Sequence, residues 1–146
     1  MPVVGIVLRE MKGKRIADYN GVMNINSNSA IKDVEEIDLP AVGRRGIKVN
    51  FEFKTDYQTE KSNTFADIII TGDVLWLVED ASTIIKNWKK DKKLPEDISL
   101  QTINTILRKC ATKALVLSED LNLPPPIALP FATRKEEAQQ SQRYIG

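Results

Sequence analysis

In "GIKVNFEFKTDYQ", residues 46–58, Ile47, Val49, Phe51, Phe53, Thr55 and Tyr57 alternate with Lys48, Asn50, Glu52, Lys54 and Asp56. Period two over that length predicts a long strand with one buried and one wet face. "IADYNGVMNIN", residues 16–26, repeats the alternation more loosely and predicts a second strand over 17–26. "FADIIITGDVLWLV", residues 65–78, is apolar on both sides of its alternation, as a central strand is. Its Gly72-Asp73 marks either a bulge or a tight hairpin turn. A shorter apolar run, residues 3–8, adds an edge strand. Polar turns without intervening helices make the sheet antiparallel.

Between the strands at 17–26 and 47–57 lies "SNSAIKDVEEIDLPAVGRRG", with Pro40, two glycines and scattered aliphatics. It is long for a hairpin loop and reads as a crossover segment packed partly on the sheet.

After residue 78 the period changes. "EDASTIIKNWKKDKK" places Asp80 or Ser82 at an N-cap, with Ile84, Ile85 and Trp88 on one face of a short helix. "LPEDISLQTINTILRKCATKALVLSEDL" is a long helix over about 97–120. Its expected apolar stripe runs through Leu100, Ile103, Ile106, Leu107, Cys110, Ala111, Ala114, Leu115 and Leu117 or Ser118. Then comes "LNLPPPIALPF", an apolar strap that its prolines hold extended. Its Leu123, Ile127 and Leu129 predict docking back onto the domain. The chain therefore reads as one α+β domain over 1–132, with a polar tail over 133–146.

Composition narrows the chemistry. Lys plus Arg number 21 against 20 for Asp plus Glu, so whole-chain charge (+1) favours neither nucleic acid nor membrane. The absence of histidine removes the usual general base and the usual helper of Ser and Cys nucleophiles. No carboxylate pair stands out by spacing, and no Gly-rich phosphate loop is present, which points away from an enzyme and from nucleotide use. Cys110 is the single cysteine and sits in the helix stripe, as a small buried hydrophobe does. With no second Cys and no His, neither a metal nor any other cofactor is expected. The N-terminal apolar run is too short for a secretory signal, and no segment reaches the ~20 apolar residues of a membrane span, so a cytoplasmic protein is expected.

The order of elements, with "IIITGDVLWLVEDASTIIKNW" leading from the sheet into a short helix and "LNLPPPIALPF" following a long one, resembles SecB, the tetrameric export chaperone. The likeness spans about residues 15–131. It implies an antiparallel sheet of about four strands with a long crossover and two helices packed on one face. It further implies holding of unfolded polypeptides in protein transport, as a homodimer or homotetramer, with an antitoxin-linked chaperone as a variant. SecB proteins dock the SecA motor through an acidic sheet surface, and a nearly neutral chain does not supply one.

A receptor for unfolded chains needs apolar grooves. The candidates are Tyr19, Met23, Phe51, Phe53 and Trp76 on strands, and Leu39 and Val42 in the crossover. For the strand aromatics, core or subunit interface is the competing role. A rival reading makes the chain a nucleic-acid-binding or structural subunit that uses the basic segments 44–48 and 89–93.

Overall fold

The computed structural model describes residues 3–127. Four strands form one antiparallel sheet: β1 (Val3–Arg15), β2 (Met23–Leu39), β3 (Arg44–Thr59) and β4 (Thr64–Leu77), in the spatial order β1-β4-β3-β2. Two helices follow, α1 (Ala81–Asp91) and α2 (Glu96–Asp120). The α+β architecture is thus the one the pattern predicts, with both helices on one face.

β3 and β4 are the central strands and carry the core. Ile47, Val49, Phe51, Phe53, Thr55 and Tyr57 pair in register with Trp76, Val74, Gly72, Ile70, Ile68 and Ala66, and all are buried beneath the helices. The opposite face is open and holds Lys48, Asn50, Glu52, Lys54 and Asp56. Arg9 is the extra residue of a bulge in β1 and forms an ion pair with Asp73, which is buried on that open face. Asn50 Nδ2 also donates to Asp73 Oδ1, at 3.1 Å. Two donors compensate a carboxylate that burial alone would make costly. The irregularity at Gly72-Asp73 therefore belongs to the partner strand, while β4 runs straight through.

The crossover is not where the pattern placed it. Residues 27–39 continue β2, which pairs with β3 along its whole length, and Pro40–Val42 form a tight 3-10 turn closed by Gly43 at φ 64°. A bulge at Lys32 explains the misreading. Before it the core-facing positions are Ile25, Ser27, Ser29 and Ile31, and after it Val34 and Glu36, so the alternation slips by one residue. One slip moves every following side chain to the other face. The actual crossover is residues 16–22, which carry the chain from one sheet edge to the other past the β3–β4 turn. Ile16 and Ala17 donate backbone N–H groups to the Phe65 carbonyl, and the Tyr19 ring packs on Phe65 with centroids 5.0 Å apart.

Of the two candidate caps, Asp80 starts α1, by accepting from the Thr83 N–H at 3.1 Å and from its hydroxyl at 2.6 Å. Those bonds hold its carboxyl below the ordinary range, the hydroxyl contact first. α2 buries Ile98, Thr102, Ile106, Cys110, Ala114 and Ser118, a strict every-fourth ladder. Leu100 and Leu107, expected in the buried stripe, are exposed instead. The strap docks where the sheet ends. Leu123 is buried, the Pro124 carbonyl accepts from Tyr57 Oη at 2.6 Å, and Arg15 donates to the carbonyls of Leu121 and Asn122. Ile127, expected to be buried, is 42% exposed. Leu129 and the tail over 133–146 lie outside the described residues.

Candidate functional site

Two helices on a four-stranded sheet leave a gap where the end of α1, the link to α2 and the edge strand β2 meet. A groove of about 580 Å³ opens there. Its apolar walls are Ile31 from β2, Trp88 from α1, Leu94 from the link, and Leu100 and Ile103 from α2, with Lys92, Lys93, Glu96 and Ser99 completing the lining.

Local sequence builds each wall. Ile31 is the last core-facing residue before the β2 bulge, so it sits where the edge strand bends. α1 ends at Lys92, in left-handed conformation at φ 57°, whose N–H bonds the Trp88 carbonyl at 2.8 Å. That stop turns the chain through Lys93 and Leu94 into Pro95, which starts α2. On α2 the buried ladder is spaced by four, so Leu100 and Ile103 stand off it and face the gap. Leu100 is 61% exposed, a large apolar side chain with little of its surface covered.

Trp88 forms the inner wall. The residue is only 6% exposed, yet its indole N–H has no hydrogen-bond acceptor among the described residues. Lys92 Nζ stands 5.5 Å from the centre of the Trp88 ring, within cation–π range.

None of the seven residues singled out from sequence lines this groove. Phe51, Phe53 and Trp76 are buried in the core under the helices. Tyr19 and Met23 are half-buried at the crossover end of the sheet. Leu39 is buried, and Val42 is 46% exposed in the β2–β3 turn, both away from the groove and in a hairpin rather than a crossover. The signal for the groove was present in sequence as surplus: α2 carries more aliphatic residues than one face can bury.

The two basic segments separate clearly. Arg45 is held by Glu36 at 2.6 Å and Asp38 at 2.9 Å, and Lys48 by Glu35 at 3.1 Å, so segment 44–48 is largely neutralised along the β2–β3 hairpin. The Glu36 bond is the chief cause holding the Arg45 guanidinium above its ordinary pKa. Lys89, Lys90, Lys92 and Lys93 make no ion pair among the described residues. Cys110 lies fully buried in α2, and burial pushes its thiol up to about 11, so it is no nucleophile at neutral pH. Among the described residues no group of three or more Cys, Asp or Glu side chains is placed to hold a metal ion, and no helix is long and apolar enough to cross a membrane.

No protein-family model and no curated protein matches the sequence. Among solved structures, the chain is similar to the SecB-like chaperone of Mycobacterium tuberculosis, determined in complex with a ChAD peptide from an antitoxin. The TM-score is 0.56 at 13% sequence identity, over 91% of each chain. The fold of this chain is SecB-like.

Proposed function

We propose that this protein is an ATP-independent, chaperone-like binder of unfolded polypeptides, acting in the cytoplasm as a homodimer or homotetramer. The observation that carries the reading is the groove itself. Ile31, Trp88, Leu94, Leu100 and Ile103 offer apolar surface in a concave site of about 580 Å³. Such surface suits the short apolar stretches that an unfolded chain exposes. The fold adds support, since the similar M. tuberculosis chaperone was determined with a bound peptide. Val4, Val7 and Met11 on the edge strand β1, with Leu107 and Val116 on α2, are further exposed apolar residues that a second copy would cover.

The test is suppression of aggregation of a chemically unfolded client, without nucleotide and in moderate salt. Near-stoichiometric suppression is expected from the wild type. Leu100→Asp should lose it without a change in melting temperature, because Leu100 is largely exposed in the folded chain. Unchanged client aggregation at a several-fold excess of folded protein refutes the reading. Light scattering at micromolar concentration tests the assembly separately.

A further inference from the structure

The lysines at the end of α1 are left without a role by apolar binding alone. Lys92 and Lys93 line the groove, while Lys89 and Lys90 occupy the last turn of α1. All four are exposed, and none is paired with a carboxylate among the described residues. Lys32, also exposed, follows Ile31 on the opposite wall. The acidic residues nearby are Asp91, Glu96 and Asp97. Glu96 and Asp97 fall in the first turn of α2, where they already complement the positive end of the helix dipole. The groove is thus an apolar trough beside unpaired ammonium groups, in a chain whose overall charge is close to zero.

Charge complementarity points to the occupant. Unpaired ammonium groups at the rim of apolar walls match a polypeptide segment that carries carboxylates beside its apolar residues.

We propose that the groove selects apolar polypeptide segments flanked by Asp or Glu, whose carboxylates meet Lys92 and Lys93 while the apolar residues pack on Trp88, Leu94, Leu100 and Ile103. This inference rests on the polypeptide-binding reading above and adds the client chemistry. Segments flanked by Lys or Arg meet like charge at the same rim and bind more weakly.

The experiment uses the full chain and three labelled peptides that share one apolar core, flanked by Glu, Gln or Lys, with affinities read by fluorescence anisotropy. In 50 mM salt the Glu-flanked peptide should bind roughly five- to tenfold tighter than the Lys-flanked one, the size two exposed charge pairs supply. The difference should fade in 0.5 M salt, where exposed charges are screened. Lys92→Asn/Lys93→Gln, with Asn chosen because it tolerates the left-handed cap, should erase the preference. Circular dichroism and the melting temperature of the variant report separately that it is folded. Equal affinities for the three peptides, or a preference for Lys flanks, overturn the selectivity but leave the polypeptide-binding reading standing. Failure of the Gln-flanked peptide to bind the wild type overturns both. A preference that survives in the double variant also overturns the proposal.

Discussion

Trp76 donates its indole N–H to Thr102 Oγ1 across 2.9 Å, joining the central strand β4 to the long helix α2 inside the core. Both residues are buried, and Thr102 is one of the polar positions in the buried ladder of α2. The bond fixes the register of the helix over the sheet and so places Leu100 and Ile103 at the groove. Thr102→Val keeps the shape and removes the acceptor. It should cost about 1–3 kcal/mol, the penalty for orphaning a buried donor. Urea unfolding of the variant measures the loss, and a change below 0.5 kcal/mol means the indole finds another partner.

The strap gives a second prediction. Tyr57 reaches from the end of β3 to the Pro124 carbonyl at 2.6 Å, and Leu123 is 7% exposed against the core. Tyr57→Phe should lose about 1 kcal/mol, the net worth of one such bond. Leu123→Ala should lose about 2–3 kcal/mol, at the lower end for a buried leucine. Ile127→Ala, at an exposed position, should stay within about 0.5 kcal/mol of wild type. Truncation after Ser118 removes all of these contacts and should lower the melting temperature further. Equal stability of all four chains means that the strap does not hold the fold.

Alkaline pH supplies a third. Burial raises the Cys110 thiol from an ordinary 9.0 to about 11, opposed only in part by Lys109. The unfolded chain therefore loses this proton first as pH rises. The contribution of the neutral thiol to stability is complete below pH 9 and drains away between 9 and 11. The buried Tyr57 phenol is raised in the same direction, burial being the main cause and Ser118 the opposing one. The melting temperature should fall across this window, and the fall should be shallower for Cys110→Ala. Parallel profiles for the two proteins contradict the assignment.

Gly72 is the fourth test. A Cβ there collides with the Val7 carbonyl and lies 3.1 Å from Leu8 Cα, both backbone atoms of β1 just before the Arg9 bulge. Backbone cannot yield as a side-chain tip does, so Gly72→Ala should destabilise by about 1–3 kcal/mol through overpacking. Hydrogen exchange should localise the damage to β1, with faster exchange of its amides paired to β4 than in wild type. An unchanged β1 protection pattern argues against the close approach.

Much of the fold was decided along the chain itself. The strict alternation from Ile47 to Tyr57 fixes which face of β3 is core, because side chains on a strand point alternately to either side. Asp80 ahead of Ala81, and Pro95 ahead of Glu96, mark where the helices start, since capping and proline geometry are local effects. The strap's return to the domain was likewise written in Leu123, an apolar residue too costly to leave in water beside rigid prolines. Tertiary structure alone decided the rest. The bulge at Lys32 broke the period of β2, so an edge strand read as a crossover, while the true crossover, residues 16–22, read as strand. Periodicity cannot report a one-residue slip, because the partner strand sets the phase again on the far side. The groove escaped for a related reason. Leu100 and Ile106 fall within one broad apolar stripe, about a third of a turn apart on the helix, and only the sheet beneath α2 determines that Ile106 is buried while Leu100 faces solvent beside Trp88.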